Sequence, residues 1–397
     1  MNPVPTHSIP RVAISLELEW AYKRHLQLYA GCQQYADEAG WQSSVNPAID
    51  RMLAMDADGR PNYDGIIARA TPELAAAAQK FGVPLVNVWL NSPVRNLPGV
   101  FCDFEISGAM AAENLIGRGF RQFGYLGHRR DIDSRQQLSG FRRAIKAAGF
   151  RCTAHRLVAN QLEGPARGWE KFVARLEAWI DTWEPPIGIF VCGDLYCRYL
   201  IDICRAKGLH VSQEVAIVGT GNEHEFCNSP EPTLTSIDMG YAKVGYHAAA
   251  LLGRLMSGGE PPKAPELIAP AELVPRRSTD VYASEDLMVA RALRFISENS
   301  HHRIQVKDVA SAVSSTRRTL ERRFNDYAGR TIADEITRLR LERAKRRMVE
   351  TDAPMKDVAI DAGFRNADHF YKVFTRIEGI PPTQYRDDRQ QTFPQRV

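Results

Sequence analysis

Near its carboxyl end the chain reads Val306-Lys-Asp-Val-Ala-Ser-Ala-Val-Ser-Ser-Thr-Arg-Arg-Thr-Leu-Glu-Arg-Arg-Phe324, and later Met355-Lys-Asp-Val-Ala-Ile-Asp-Ala-Gly-Phe-Arg-Asn-Ala-Asp-His-Phe-Tyr-Lys-Val-Phe374. Both stretches carry Lys-Asp-Val-Ala near the start and end in Phe on an amphipathic helix. Each predicts a helix-turn-helix unit, because apolar residues recur at helical spacing on both sides of a short turn. Two such units at a fixed separation predict a protein that grips successive major grooves of one DNA duplex.

The first unit predicts a buried face and an exposed reading face. Val306, Val309 and Ala310 fall at i, i+3 and i+4, a turn follows, and Thr316 is a good N-cap for the second helix. That helix buries Leu320 and Phe324. An arginine on the exposed face of this helix can bond guanine bidentately. The Glu321 carboxylate either accepts a hydrogen bond from cytosine or orients a neighbouring arginine. The predicted DNA contacts of this helix are Arg317, Arg318, Glu321 and Arg322.

The second unit repeats this plan after a basic connecting helix. Ile332–Glu350 predicts a helix of about 19 residues, which at about 1.5 Å each spans roughly 28 Å and approaches one DNA turn of roughly 34 Å. The next reading helix is predicted over residues 366–377, with Gly363 in the turn before it. The alternative is that the basic residues form an ordinary solvated surface or contact phosphates only. The predicted DNA contacts of the second unit are Arg365, Ala367, Asp368, His369 and Lys372.

Charge is distributed unevenly along the 397 residues. The segment from Ser284 to Val397 holds 22 of the 51 Lys and Arg and 17 of the 47 Asp and Glu, a net charge of +5. The remainder of the chain therefore has a net charge of −1. A basic module attached to a neutral domain is what a DNA-binding protein is expected to show.

The cysteines and the amino terminus predict a cytoplasmic protein. All seven cysteines lie at or before Cys227, without a Cys-x-x-Cys pair, which favours buried free thiols in a reducing compartment over disulfides or a metal site. Residues 1–11 do not have the pattern of a signal peptide, and no apolar stretch approaches the roughly 20 residues of a membrane span. No metal, cofactor or membrane partner is expected.

The front part alternates short apolar runs with helical stretches. Arg11–Leu16, Gln122–Leu126 and Thr235–Asp238 are among the predicted strands, and helical patterns separate them. This alternation predicts a parallel sheet flanked by helices. Turn formers and charges at Pro275–Asp280 predict an exit from this fold, and helical periodicity resumes at Asp286. We predict an α/β domain over residues 1–280, a linker over 281–287 and an all-α DNA-binding domain over 288–390.

Residues 287–388 resemble the DNA-binding domain of the AraC/XylS family of transcription activators. The resemblance is carried by Leu320-x-Arg-x-Phe324, Arg340-x-x-x-Ala344, Ala362-Gly-Phe364, Phe370-x-x-x-Phe374 and Gly379-x-x-Pro-x-x-Tyr-Arg386. One departure is Ser314, where the family usually has Gly in the first turn. The resemblance implies tandem helix-turn-helix units that bind an operator in double-stranded DNA.

The front 280 residues resemble the two-lobed ligand domain of LacI/GalR repressors, which is similar to periplasmic sugar-binding proteins. Matching runs include Tyr63-Asp-Gly-Ile-Ile67, Val215-Ala-Ile-Val-Gly219 and Pro232-Thr-Leu-Thr-Ser-Ile237. A LacI-like sensor followed by an AraC-type reader is the order of the xylose-operon activators. The resemblance implies a sugar-responsive activator of genes for xylose or a related sugar, with RNA polymerase as a partner. A homodimer is expected because such operators come as repeats. The alternatives are another sugar or polyol, or repression.

Ligands of open α/β folds bind beyond the carboxyl ends of the strands. Polyols need carboxylates, amides and arginine for their hydroxyls and aromatic faces for their C–H surfaces. Arg135 and Asp194 also match sugar-contacting positions in the LacI resemblance, whereas Asp103 has helix capping as an alternative, and core packing is the alternative for the tryptophans. The candidate ligand residues are Glu17, Trp20, Trp89, Asp103, Arg135, Asp194, Asn222 and Glu223.

Catalysis is not expected. Gly219-Thr-Gly221 follows a strand without the third glycine of a dinucleotide fingerprint, and the chain has no Gly-x-Ser-x-Gly, Gly-x-x-x-x-Gly-Lys or His-Glu-x-x-His motif. We therefore predict a regulator and not an enzyme, with a regulator that responds to no ligand as a third possibility.

Overall fold

The computed structural model describes residues 9–19, 23–157, 166–211, 214–280, 286–328 and 330–392. Trp20, a candidate ligand residue, and most of the predicted linker 281–287 lie outside these ranges. The predicted domain boundaries therefore stay predictions. All seven cysteines are free thiols, and five of them are buried. Within the described ranges, no helix is both long and apolar enough to cross a bilayer.

The first lobe is built on a four-stranded parallel sheet of order β2-β1-β3-β4. Its strands are short, and all but the polar edge strand are largely buried. A further short pair of parallel strands lies beside this lobe. The elements are β1 Arg11–Ser15, α1 Arg24–Glu38, β2 Gln42–Val45, α2 Ile49–Met52, β3 Gly65–Ala68, α3 Pro72–Phe81, β4 Leu85–Asn87, β5 Val100–Cys102, α9 Tyr241–Met256 and β11 Glu266–Ile268.

The second lobe has a six-stranded sheet of order β12-β10-β9-β8-β6-β7, in which only β12 is antiparallel to its neighbour. Its central strands β8 and β9 are completely buried, as expected for a sheet covered by helices on both faces. The elements are α4 Phe104–Gly117, β6 Gln122–His128, α5 Ile132–Ala147, β7 Cys152–Leu157, α6 Ala166–Ile180, β8 Ile187–Val191, α7 Asp194–Ala206, β9 Val215–Thr220, α8 His224–Cys227, β10 Thr235–Asp238, β12 Glu272–Val274 and a short 3-10 helix Arg277–Thr279.

The chain crosses between the lobes three times: from β5 to α4, from β10 to α9 and from β11 to β12. Backbone hydrogen bonds join the crossings to one another. The Asp103 amide donates to the Ile268 carbonyl at 2.8 Å, and the Ala271 amide donates to the Asp238 carbonyl at 2.9 Å. Within the described residues, these three crossings are the covalent connections between the two lobes. The predicted α/β, two-lobed fold is confirmed.

One pair of helices in each lobe packs backbone against backbone. Gly31 of α1 faces Gly245 of α9, and Gly108 of α4 faces Gly140 of α5. A Cβ added at any of the four would lie 1.8 to 2.1 Å from a carbonyl oxygen of the facing helix. Only glycine therefore permits this approach, and both lobes have a tightly packed helix pair.

In the described part of the helical domain, seven helices pack around two cores. The first core draws on α10, α11, α12 and the start of α13, and the second on the rest of α13 with α14, α15 and α16. The predicted helix Ile332–Glu350 is α13 itself. The helices are α10 Leu287–Asn299, α11 Val306–Ala312, α12 Arg317–Ala328, α13 Ile332–Glu350, α14 Met355–Asp361, α15 Ala367–Glu378 and α16 Pro382–Thr392.

Candidate functional site

A cavity of about 1380 Å³ lies between the two lobes. Its wall is formed by loops and helix starts at the carboxyl ends of strands from both sheets, where ligands bind in α/β folds. The wall also includes Lys345, Thr351, Asp352 and Tyr385 of the helical domain. The cavity is thus large enough for a small-molecule ligand and is bordered by the helical domain.

The first lobe contributes a basic and aromatic wall. The Arg69 guanidinium carbon lies 4.2 Å from the centroid of the Trp89 ring, and burial lowers the pKa of Arg69, with Arg24 adding to the effect. The Asn87 side-chain oxygen accepts hydrogen bonds from the backbone amides of Ala70 (3.2 Å) and Trp89 (3.0 Å). Asn87 therefore holds the loops after β3 and β4 together and orients the stacked pair.

The second lobe contributes an acidic wall. Asp131 and Asp133 stand at the start of α5, and burial together with the neighbouring Asp133 raises the pKa of Asp131. Asp133 lies 3.9 Å from a guanidinium nitrogen of Arg24 across the cavity. The Asn91 side-chain oxygen accepts a 2.6 Å hydrogen bond from the Ile132 amide, also between lobes. Opposite charges and one short hydrogen bond therefore link the two walls.

The loop after β9 brings two predicted ligand residues to the cavity. Asn222 donates to Asp238 at 3.3 Å and accepts from Arg276 at 2.9 Å. Burial, and then the adjacent Asp194, raises the pKa of Glu223 to about 7. Both side chains line the cavity. A carboxyl group that is half ionised near neutrality can accept or donate a hydrogen bond to a hydroxyl group.

Asp194 lies behind this loop and does not line the cavity. It is 1% exposed, and burial raises its pKa. Its carboxylate accepts hydrogen bonds from the Ser236 hydroxyl at 2.7 Å and from the Glu223 amide at 2.8 Å. The structure therefore gives Asp194 a supporting position, because its oxygens hold the loop that carries Asn222 and Glu223.

Three other candidate residues also lie away from the cavity wall. Asp103 caps α4 by accepting a 3.0 Å hydrogen bond from the Ile106 amide, which was the alternative considered for it. Arg135 is exposed on α5, and Glu17 is exposed after β1. A position next to a strand end does not by itself bring a side chain to the cavity, because a side chain at that position can point into solvent or cap a helix.

The cavity wall contains further polar and aromatic residues that sequence reasoning missed. Arg69 directly follows β3, and Asp238 ends β10, so the strand-end rule that selected Trp89 would have found both. Arg24, Gln137 and Tyr196 lie on helices, and no sequence signal marks them. The missed residues are Arg24, Arg69, Phe104, Asp131, Asp133, Gln137, Tyr196, Asp238, Tyr241 and Arg276.

The reading helix of the first unit presents its basic side chains outward. Thr316 caps α12 by accepting a 3.2 Å hydrogen bond from the Thr319 amide. Arg317, Arg318 and Arg322 are exposed, whereas Leu320 and Phe324 are buried. Glu321 accepts a 2.9 Å hydrogen bond from Arg317, four residues earlier. This contact is the orienting role that was one of the two alternatives for Glu321.

The second reading helix has the same layout. Asn366 caps α15 through a 2.9 Å hydrogen bond from the His369 amide, and Phe370 and Phe374 are buried. Four of the five candidate residues, Arg365, Asp368, His369 and Lys372, are exposed, and Ala367 is half-buried. Each unit thus offers a row of polar side chains at the start of its second helix, where base edges are read.

The basic residues of α13 are largely engaged within the domain. Glu335 is fully buried and pairs with Arg330 at 2.5 Å and with Arg338 at 2.7 Å. Lys345 pairs with Glu378, and Arg347 pairs with Asp361. The connecting helix is therefore a structural element whose charges hold the two units, rather than a continuous basic surface.

Comparison with known proteins matches both parts of the chain. Residues 112–279 match a periplasmic binding protein-like domain, and residues 309–388 match a helix-turn-helix domain. The xylose operon regulatory protein of Escherichia coli K12 is 30% identical over 231 residues, 58% of this chain and 59% of that protein, so the alignment spans less than two thirds of that relative. That of Haemophilus influenzae is 25% identical over 389 residues, 96% of this chain and 99% of that protein.

The chain is thus similar in sequence to the xylose operon regulatory proteins of these two bacteria.

A solved structure of a xylose-binding transcription activator resembles this chain over nearly its whole length. The TM-score is 0.60 at 23% identity, with 96% of this chain and 99% of the other covered. The likeness concerns the fold, and it confirms the predicted order of a LacI-like domain followed by an AraC-type domain. These relatives are regulatory proteins and not enzymes, in agreement with the prediction for this chain.

Proposed function

We propose that this chain is a sugar-responsive transcription regulator that activates genes for the breakdown of xylose or a related sugar. One observation carries the proposal. A single chain joins an interlobe cavity, lined by carboxylates, arginines and a tryptophan face, to two helix-turn-helix units with outward basic side chains. The first feature suits a polyol, and the second suits double-stranded DNA.

The effector is proposed to be a neutral sugar that contacts both walls. Trp89 offers an aromatic surface beside the stacked Arg69, Arg24 and Arg69 offer donors, and Glu223 offers an acceptor, all on the cavity wall. Xylose is the first candidate because the relatives named above regulate xylose operons. Another pentose or polyol is the alternative. Asn222 and the acidic residue Asp133 complete the proposed binding set.

A thermal-shift screen of the full chain against xylose, arabinose, ribose and xylitol tests the effector. A sugar at about 100 times its Kd should stabilise the folded protein by about 2.7 kcal/mol. Trp89→Ala should abolish the shift, whereas Arg135→Ala, on the solvent side of α5, should retain it. If none of these sugars raises the melting temperature, the assignment to this sugar class is wrong.

The operator is proposed to be read by the two outward faces together, by a homodimer in the cytoplasm that recruits RNA polymerase. Arg317, Arg318 and Arg322 support this role in the first unit, and Arg365 and Lys372 support it in the second, because all are exposed. Lobe closure around the sugar is proposed to reposition the paired reading domains on repeated half-sites.

Selection of duplexes from a random-sequence library with the full chain tests the DNA part. We expect a footprint over two neighbouring major grooves per chain, whose occupancy changes with the effector. A footprint over one groove, or operator binding that is identical with and without every sugar, contradicts the proposal. In vitro transcription from the selected operator separates activation, in which transcript rises with sugar, from the repressor alternative.

A further inference from the structure

The two helix-turn-helix units touch each other directly, beside the helix that connects them. The contact involves the segment after α10 in the first unit and the turn of the second unit. We call it the inter-unit brace and define it as Ser300, Arg303, Arg340, Gly363 and Arg365. We propose that this brace sets the angle between the two reading helices, and thereby the spacing that the protein accepts between the two major-groove half-sites that one chain reads. The inference rests on the proposed function.

Arg340 is the centre of the brace. It lies on α13, yet its guanidinium donates to three carbonyl groups of the loop between α10 and α11: to Ser300 at 2.9 Å, to His302 at 2.8 Å and to Ile304 at 3.2 Å. Burial lowers its pKa. A guanidinium spread over three carbonyls is a rigid fork, so Arg340 fixes this loop against α13.

Gly363 presses the second unit onto the same loop. A Cβ at Gly363 would lie 2.4 Å from the Ser300 carbonyl oxygen and 3.0 Å from the His301 carbonyl carbon. Arg303 adds a hydrogen bond of 3.3 Å to the Arg365 carbonyl, at the start of the second reading helix. The loop of the first unit therefore contacts the turn that precedes α15, and it does so on both sides of Phe364.

The duplicated motif supplies an internal comparison. Ser314 occupies the corresponding turn of the first unit with φ 53°, and Gly363 occupies the second turn with φ 91°. Both conformations are left-handed, but Ser314 is exposed, whereas Gly363 is buried against the other unit. A left-handed backbone alone therefore tolerates a side chain in this motif. Glycine is required in the second turn because a neighbouring carbonyl occupies the space of a Cβ.

The connecting helix does not make the brace redundant. Ile332, Ile336 and Leu339 of α13 belong to the first core, and Ala344 and Met348 belong to the second. A helix shared in this way fixes the distance between units, but a single rod leaves twist and bending about its axis less constrained. The contact of Ser300 and Arg303 with Gly363 and Arg365 joins the units at a second place. It therefore restricts this twist and bending.

The test measures how strictly the full chain discriminates half-site spacing. The probe is the two-groove duplex selected with the wild-type chain, together with versions carrying one or about five inserted base pairs, which rotate one half-site about the duplex axis. We expect the wild-type protein to bind the one-base-pair insertion at least about tenfold more weakly than the selected duplex. Arg340→Met and Gly363→Ala should reduce this discrimination to about twofold or threefold.

Matched variants separate the brace from general damage. Ser314→Ala places the same residue in the other left-handed turn, where it faces solvent, and should keep wild-type discrimination. Arg294→Ala removes an exposed arginine of α10 and should also keep it. Circular dichroism identifies any variant that fails to fold, and in that case Arg340→Lys, which keeps the charge but not the fork, provides the milder comparison.

The outcomes distinguish the two proposals. Folded Arg340 and Gly363 variants with undiminished spacing discrimination overturn the role of the brace while leaving the proposed function intact. A wild-type chain that selects only single-groove sites overturns the proposed function itself, and a wild-type chain that binds every insertion as well as the selected duplex overturns the role of the brace.

Discussion

Ser314 holds an unfavourable backbone conformation without an evident gain. Its φ is 53°, in the region where a Cβ is disfavoured, and its side chain is exposed. Ser314→Gly should therefore raise the free energy of unfolding of the helical domain by about 0.5–1 kcal/mol. Chemical denaturation followed by circular dichroism measures it. Ser311→Gly, within α11, should instead lower that free energy by about 0.5 kcal/mol. If both variants change the free energy of unfolding in the same direction, the prediction is wrong.

Glu223 links the stability of the sensor to pH. Burial and the neighbouring Asp194 raise its folded-state pKa from its ordinary value of 4.5 to about 7. Between these two pH values the unfolded chain ionises this carboxyl while the folded chain keeps its proton. Wild-type protein should therefore lose stability relative to Glu223→Gln as pH rises from about 4.5 to about 7, and the difference should level off above pH 7.

Glu225 is the matched control for this titration, because its pKa is shifted the other way. The hydrogen bond from Lys23 lowers the pKa of Glu225. Its contribution to stability is therefore present above pH 4.5 and is lost as pH falls below it. Denaturation profiles of Glu223→Gln and Glu225→Gln across pH 3 to 9 should diverge from wild type in different windows. Parallel profiles would show that Glu223 has an ordinary pKa.

The direction of side chains at the strand ends could be predicted from the sequence for only some of the cavity residues. Trp89, Asn222 and Glu223 were predicted from strand ends and do line the cavity. Asp194 met the same criterion, yet Ser236 and the Glu223 amide occupy its oxygens. Which way a strand-end side chain turns depends on neighbours from other parts of the chain. Periodicity and spacing carry no information about those neighbours.

Helix α13 depends on a charged residue that is completely buried. Glu335 is 0% exposed and pairs with Arg330 and Arg338. Glu335→Gln should lower the free energy of unfolding by about 2–4 kcal/mol, because two guanidinium groups lose a desolvated partner. Urea denaturation of the full chain measures the change. Glu321→Gln disrupts the exposed pair with Arg317 and should cost less than about 1 kcal/mol; a similar loss in both would refute the distinction.

Helix α12 is expected to carry sequence discrimination in the first unit. Arg318 is exposed on the outward face. Arg318→Ala should cost about 1–3 kcal/mol of binding free energy on the selected operator and relax the preference at one base pair. Binding to a set of single-base operator variants measures it. If all duplexes weaken equally, Arg318 contacts a phosphate, and another side chain reads that base.

Elements with a clear apolar period were predicted well, and polar ones were not. Thr235–Asp238 and Ile332–Glu350 match the structure at both ends. Strand β2, Gln42–Val45, was missed because its residues are polar and largely exposed at the sheet edge. Its pairing with β1 is made through the backbone. A strand that is defined by its neighbour rather than by its own pattern is not visible to sequence periodicity.

The two lobes carry opposite charges where they face each other. Lys23 pairs with Glu225 and Arg24 lies near Asp133, so the basic member of each pair is in the first lobe. Lys23→Glu should favour opening of the cleft, by an amount that falls with salt because the pair is half-exposed and worth about 0.2–1 kcal/mol. Energy transfer between dyes on the two lobes measures the opening. The double variant Lys23→Glu with Glu225→Lys should restore closure, and failure to do so would refute the pairing.

The order of the two domains was predictable because each domain contains short motifs that resemble a known family. Examples are Ala362-Gly-Phe364 and Val215–Gly219. The contact between the two helix-turn-helix units was not. It depends on Arg340 reaching a loop some forty residues earlier in the chain, and nothing in the spacing of the motif indicates that reach. Long-range contacts of this kind decide geometry without leaving a periodic trace.

Direct backbone packing between the glycine-paired helices is expected to make each lobe rigid. Where two backbones touch directly, as at Gly31 with Gly245 and at Gly108 with Gly140, no pliable layer of side chains remains to absorb a push. Each lobe is therefore expected to move as a rigid body. Closure around a bound molecule is therefore expected to be a rigid-body movement of the two lobes about the three interlobe crossings, with little change inside either lobe.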